Sequence, residues 1–219
     1  METILSVKQL TKKQPRDLFT NLSFEIKQGD WLGLVGPNGI GKSTLAHILI
    51  GLEPFTDGTI LFQKDLNLTS TSQMEWVRKI QLIPQYNKNS LDPSKRILNL
   101  LLEPLNFFHK ELSKEDKLNR ITQLLKDCQL SQNILKQKPG DLSGGQYQRV
   151  CIILALLVDP DILICDEITA GLDSITERLI IKLLKQQPEL SVIFISHQKN
   201  LIDLVCNKTL TLPEGKVKK

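Results

Sequence analysis

Two short stretches of the chain carry residue types suited to phosphate chemistry. "GPNGIGKST", residues 36–44, fits the spacing G-x-x-x-x-G-K-[ST]. Gly36, Gly39 and Gly41 let the backbone curl around Pro37, Asn38 and Ile40, so that successive N–H groups face phosphate oxygens. Lys42 then reaches the terminal phosphates, the Ser43 hydroxyl is a Mg²⁺ ligand type, and Thr44 carries the chain into a helix. "ILICDE", residues 162–167, supplies a complementary acid. Its four apolar residues end at Asp166, which a buried strand delivers to its C-terminal edge, where it can hold Mg²⁺ through water. Glu167 beside it can orient and polarise an attacking water. Each stretch alone also has a plainer reading, as a glycine turn with a surface lysine or as a strand end. Their order and the strand–loop–helix context favour the phosphate reading.

A third stretch, "GDLSGGQYQRV" at 140–150, places a serine and two glycines in front of an amphipathic run with apolar positions from Val150 to Val158. Ser143 can cap that helix, and Gly144 and Gly145 expose N–H groups at the positive end of its dipole. Such a terminus attracts an anion.

The elements that must hold these stretches are readable from periodicity. Residues 4–10 and 22–26 alternate as strands, and "TDGTILFQ" is a turn leading into another, so an antiparallel patch opens the chain. "WLGLVG" is a short apolar strand running into the glycine loop, with "KSTLAHILIGL" at helical spacing behind it. "ILIC" (162–165) and "VIFIS" (192–196) are apolar runs of the kind that parallel strands buried on both faces show. Ser72-x-x-Glu75 and Ser174-x-x-Glu177 read as capping boxes, and Leu118, Ile121, Leu124, Leu125 and Cys128 form one helical apolar face. Residues from about 87 to 158 contain no strand candidate. The expected fold is α/β, with a core from about 1–86 and 159–219 and a helical subdomain, about 87–158, inserted into it.

Composition sets bounds on function. The 219 residues are 41% hydrophobic and 24% charged, which is globular, and the net charge of +4 is too mild and dispersed to indicate nucleic-acid binding. It leaves room for a modest attraction to anionic lipid. Cys128, Cys151, Cys165 and Cys206 form no C-x-x-C pair and read as small hydrophobes in a reducing compartment. "METILSVKQL" lacks a secretory pattern, and no apolar run approaches membrane-spanning length. The expectation is a soluble, cytoplasmic chain, with other chains supplying any membrane span.

The order of the motifs is diagnostic. The phosphate loop at 36–44, Gln85 in "IQLIPQ", "LSGGQ" at 142–146, "ILICDE" at 162–167, "GLD" at 171–173 and "ISH" ending at His197 together resemble an ATP-binding cassette (ABC) ATPase over nearly the whole chain. The resemblance implies a P-loop NTPase core with an antiparallel β subdomain and an inserted helical subdomain, ATP and Mg²⁺ as cofactors, and ATP hydrolysis. It implies that two cassettes pack head to tail, so that Ser143, Gly144 and Gly145, supported by Gln146, face the γ-phosphate bound to the second cassette, with Asp173 across that interface. It assigns Gln85 to Mg²⁺ or the attacking water and to sensing a transmembrane subunit, and His197 to the γ-phosphate.

Several positions depart from the family pattern. No aromatic stands where the adenine-stacking ring is usual; Gln14 is near that place and Phe19 is the nearest ring. Ala170, Ile168, Gln198 and Leu154 replace a serine, a proline, an aspartate and an arginine that are common in the family. After Gln85, "YNKNSLDPSKRILNLLLEPL" is similar to cassette ATPases of oligopeptide, dipeptide and nickel importers, with Asp92 for the usual Asn, and the short chain leans toward nickel or metal-chelate members. That implies a peripheral position on the cytoplasmic face of the membrane, a second identical or paralogous ATPase subunit, two permeases, an extracytoplasmic solute-binding protein and no nucleic acid. An exporter ATPase is the main alternative and a non-transport cassette a weaker one. The polar, turn-rich stretch from Gln85 to Pro93, including Asn89 and Leu91, is expected to receive the permease.

Overall fold

The computed structural model describes residues 2–13, 17–63, 65–85 and 90–218; Gln14 and Asn89 lie outside them. In chain order the elements are β1 (Thr3–Lys12), β2 (Phe19–Lys27), β3 (Trp31–Val35), α1 (Lys42–Leu49), β4 (Asp57–Phe62), β5 (Leu66–Asn67), α2 (Gln73–Lys79) and β6 (Ile80–Ile83). There follow α3 (Ile97–Phe108), α4 (Lys114–Asp127), α5 (Gly144–Leu156), β7 (Ile162–Asp166), α6 (Ser174–Lys185), β8 (Ser191–Ile195), α7 (Lys199–Val205), β9 (Lys208–Thr211) and β10 (Lys216–Lys218). Short 3-10 turns occupy Gln132–Lys136 and Pro139–Asp141. Contacts group the chain into two units. The first is 1–82, 161–167 and 188–219, and the second is 83–160 and 168–187.

The first unit holds two sheets. β1 and β2 pair antiparallel, with Ser6 opposite Glu25 and Val7 opposite Phe24, and β4 pairs with the other edge of β1 to give the order β2-β1-β4-β5. One face of β1 buries Leu5 and Val7, which is the period-2 signal realised. The larger sheet has the order β10-β9-β3-β8-β7-β6. Here β3 runs parallel to both β8 and β9, and β7 parallel to β8. Every residue of β7 and β8 is buried, so these strands read as unbroken apolar runs. α2 starts as the sequence predicts, the Ser72 side chain accepting from the Glu75 N–H, and Trp76 on it is buried with its indole N–H donating to the Leu49 carbonyl at 2.8 Å.

At the opposite end of the large sheet, Asp30 is buried and accepts from Lys208 Nζ at 2.6 Å, the Lys27 N–H at 2.7 Å and Asn207 Nδ2 at 3.1 Å. Burial alone raises this carboxyl, but those three donors outweigh it and hold Asp30 below the usual carboxylate range. The network fastens the start of β9 to the turn before β3.

The second unit is built from α3, α4, α5 and α6, with no strand of its own beyond Ile83 among the described residues. The sequence assigns α6 to the α/β core; the contacts group it with the helical unit instead. α4 is capped by Ser113, whose side chain accepts from the Asp116 N–H. Its buried stripe is Lys117, Ile121 and Leu125, continued by Cys128, while Leu118 and Leu124 are half-buried. The predicted face is thus rotated slightly, because the Lys117 stem joins the packing and its ammonium reaches Asn106 Oδ1 at 3.1 Å. α6 begins on Asp173 rather than on the predicted Ser174: the Asp173 carboxylate accepts from the N–H groups of Ile175 and Thr176 and from the Thr176 hydroxyl.

Burial pushes the Cys128 and Cys151 thiols up to about 12 and the Cys165 thiol higher still, and none of the four cysteines is in a disulfide. Thiols held protonated in this way are poor nucleophiles.

Candidate functional site

In the first unit, the loop after β3 leads into α1 through Gly41, which caps the helix at φ +105° with no side-chain hydrogen bond and no acid in the first turn. The N–H groups that open α1 are therefore left without a capping side chain, at the positive end of the helix dipole. Two glycines are required by space as well as by conformation. A Cβ on Gly36 would lie 2.9 Å from the Leu212 carbonyl oxygen, and one on Gly41 would lie 3.2 Å from Leu18 Cβ. Lys42 is buried and its ammonium donates to the carbonyls of Gly36 at 2.8 Å and Pro37 at 3.0 Å, so it is folded over the loop that precedes it. Ser43, Pro37, Asn38 and Gly39 are exposed or half-buried, as are Ile40 and Thr44.

The same unit brings the acidic pair beside this loop's sheet. β7 ends at Asp166, paired in register with Ile195, and both Asp166 and Glu167 are buried. Glu167 adopts φ +52°, a conformation unfavourable for a side-chain-bearing residue, and is held there by its N–H donating to the Ile195 carbonyl at 3.0 Å. That twist sets its carboxylate against the segment after β8: Glu167 Oε1 lies 3.2 Å from His197 Nε2. The contact is electrostatic, since Oε1 is buried and no aligned hydrogen-bond donor reaches it among the described residues. Burial raises the Glu167 carboxyl above its ordinary value and Asp166 adds to the rise, against the lowering pull of His197 and Lys42. His197 itself is exposed and comes directly after Ser196, whose hydroxyl accepts from the Gln198 N–H at 3.1 Å. Lys42, Asp166, Glu167 and His197 thus meet in one unit.

The remaining predicted residues belong to the second unit. Ser143 caps α5 reciprocally: its oxygen accepts from the Gln146 N–H at 3.3 Å while Gln146 Oε1 accepts from the Ser143 N–H at 2.9 Å. Gln146 therefore fixes the serine's rotamer and leaves the hydroxyl proton available. A Cβ on Gly145 would find only ordinary contact, 3.8 Å from Thr176 and 3.9 Å from Leu172. Thr176 is the residue that Asp173 caps, so the starts of α5 and α6 adjoin and Gly145 and Asp173 are brought to one neighbourhood. Gln85 is exposed in a bend of this unit.

Two expectations are corrected by burial. Phe19 is 2% exposed in the core, and its ring edge is among the nearest atoms, at 3.5 Å, to where a Gly41 Cβ would be. It supports the loop from below and offers no face to a base. Leu91 is 6% exposed, and its N–H donates to the Tyr147 hydroxyl at 2.9 Å, so it is an anchor rather than part of an exposed docking stretch. Sequence patterning singles out neither Tyr147 nor Arg149, which donates to the carbonyls of Gly145 at 3.1 Å and Cys128 at 3.0 Å. Both lie in the helix that carries the end of "LSGGQ", but Leu91 and Cys128 are remote from them in sequence.

Among the described residues no helix is long and apolar enough to cross a membrane. The family profile described as ABC transporter matches residues 19–170. Nickel import ATP-binding protein NikE of Shigella dysenteriae serotype 1 (strain Sd197) is 34% identical over 211 residues, covering 94% of this chain and 78% of that protein. NikE of Escherichia coli (strain K12) gives the same identity and coverage. A dimeric post-hydrolysis state of the ATP-binding cassette MJ0796, bound to ADP and Pi, matches with a TM-score of 0.85 at 29% identity, covering 99% of this chain and 97% of that one. The structure of cbiO1 from Clostridium perfringens, part of the ABC transporter complex cbiONQ, matches with a TM-score of 0.83 at 26% identity, covering 100% and 88%. The profile takes in most of the chain and includes both the glycine loop and the acidic strand end. The chain belongs to the ABC transporter family, as an ATP-binding subunit with ATPase activity.

Proposed function

We propose that this subunit energises an importer of nickel, metal chelates or peptides, working on the cytoplasmic face of a membrane with two permease subunits and an extracytoplasmic solute-binding protein. The observation that carries the reading is the 34% identity to nickel import ATP-binding proteins across 94% of the chain. The similarity to a subunit of the cbiONQ transporter complex supports it.

The roles of the site residues rest on their chemistry. Lys42 must leave the Gly36 and Pro37 carbonyls to reach phosphate, and the uncapped N–H groups at the start of α1 receive the same oxygens. In the first unit the donors suit a hard cation, a hydroxyl at Ser43 and a buried carboxylate at Asp166; the exposed carboxamide of Gln85, in the second unit, is a donor of the same oxygen type. Phosphate oxygens and water would supply the rest of the cation's oxygen ligands. When bound, Mg²⁺ supplies neutralising charge to the phosphates. Glu167 holds and polarises the attacking water, and His197 leaves its contact with Glu167 to meet the γ-phosphate.

Ser143, Gly144, Gly145 and Gln146, with Asp173, serve the nucleotide of a second cassette packed head to tail. The dimeric state of the cassette MJ0796 supports that pairing. Co-purification from membranes tests the assignment. Two permeases and a solute-binding protein, with ATPase activity stimulated by loaded binding protein, are expected. A complex lacking any binding protein and stimulated by a solute from the cytoplasmic side would overturn import in favour of export.

A further inference from the structure

We infer that the helical unit carries a second anion site, a groove at the start of α3 that takes a phosphate-bearing ligand separate from the nucleotide. The groove is open, with a volume of about 730 Å³, and is lined by residues from the start of α3, from the Gln132–Lys136 turn and by Lys138. Arg96, Lys136 and Lys138 line it, and all three are exposed. No carboxylate does. A fourth lining cation, Lys95, is already neutralised, its ammonium 2.7 Å from Glu103 and 3.6 Å from Asp92. Among the described residues no ion pair engages the other three. Three like charges therefore share one concavity whose lining holds no carboxylate, an arrangement that a multiply charged anion relieves. The nearby Asp141 carboxylate accepts from the Lys138 N–H at 2.9 Å and pairs with none of the three side chains among the described residues.

The remaining lining is suited to the same ligand. The carboxamides of Asn99, Gln132 and Asn133 add neutral donors. α3 begins at Arg96 with no side-chain cap and no acid in its first turn, so its dipole adds positive potential at that end. The walls are pinned, since the Ile97 N–H donates to the Gln137 carbonyl at 2.9 Å and Ile97 and Ile134 are both buried. Arg96 offers a planar fork of donors and the two lysines offer point charges, a combination matched to phosphate oxygens. A single carboxylate would leave most of that charge unmet. The phosphate has two possible sources, a soluble phosphorylated ligand or an anionic lipid headgroup.

The test uses the full chain with Lys42→Ala, which weakens the phosphate loop as a competing site. Inorganic pyrophosphate is titrated calorimetrically, and co-sedimentation is measured with phosphatidylglycerol vesicles against phosphatidylcholine vesicles. Adding Arg96→Gln, Lys136→Gln and Lys138→Gln together is expected to weaken binding about tenfold, whereas Lys95→Gln costs less than about threefold. Salt should weaken binding in parallel. Pyrophosphate binding lost in the triple variant identifies a soluble ligand; phosphatidylglycerol binding alone, lost in the same variant, identifies lipid. Should the triple variant fail to fold, Lys136→Gln with Lys138→Gln is expected to lose part of the same affinity. Binding of neither probe, or binding that the charge removals leave unchanged, overturns the site.

Discussion

Glu167 Oε1 and His197 Nε2 stand 3.2 Å apart across the ends of two adjacent parallel strands, with the glutamate held at φ +52° to make the approach. The carboxylate is buried and the imidazole exposed, so one partner of the pair is fixed and the other is free to swing. Glu167→Gln is expected to retain Mg-ATP binding while lowering turnover by about 10²–10⁴-fold, because a positioned base is removed and the phosphate ligands are not. Single-turnover hydrolysis and nucleotide titration measure the two separately; wild-type-like turnover would remove Glu167 from its role.

The same residue predicts a pH effect. Its folded-state carboxyl is raised above the ordinary value, chiefly by burial, so the folded chain binds that proton more tightly than the unfolded chain. The contribution of Glu167 to stability is therefore present below the unfolded value and is lost as pH rises through the folded one. Glu167→Gln should melt higher than wild type at neutral pH, with the gap closing as pH falls below the unfolded value. Melting curves of the nucleotide-free proteins across that range decide it.

Lys42→Ala should weaken ATP binding by roughly 10- to 100-fold, the range for charge-assisted hydrogen bonds. Its ammonium also holds two loop carbonyls in the free protein, so amide exchange in residues 36–41 should quicken even without nucleotide. Unchanged exchange would show that the loop is shaped by its glycines alone.

Gly145→Ala separates fold from function. The new methyl group meets ordinary contact, and alanine relieves a helix of glycine's entropy cost, so stability should rise by about 0.5–1 kcal/mol or stay level. Hydrolysis by the paired cassettes should nevertheless fall, since no contact among the described residues requires the glycine. Full activity in a normally folded variant would mean that no partner's nucleotide approaches this turn.

Phe19→Ala should cost about 3–5 kcal/mol, as emptying a buried aromatic site does. It should leave the ATP-to-GTP binding ratio unchanged in competition titrations, because the ring lies under the loop. A shifted ratio would return Phe19 to base recognition.

The phosphate loop is legible in the sequence because its spacing encodes a backbone requirement that the folded chain repeats at Gly36 and Gly41. The buried parallel strands are legible because double-sided burial leaves one run of apolar residues with no competing period. What escapes is positional or remote. Asp173 and Ser174 are both capping types, and only the folded backbone shows which one turns inward. Leu91 sits alone among polar residues, so no periodicity marks it as buried, and its partner Tyr147 is 56 positions away. The place of Phe19 after the first strand carries no information on the face it presents.

Another consequence lies in the polypeptide just past β9. The Leu212 N–H donates to the Val35 carbonyl at 2.9 Å, and the Leu212 carbonyl occupies the space that a side chain at Gly36 would need. A residue near the far end of the chain is thus a splint for the loop near its beginning. Anyone labelling, truncating or fusing this protein after Thr211 would be adjusting nucleotide affinity without touching a nucleotide ligand, and a tag placed there should be judged by binding assays rather than by yield.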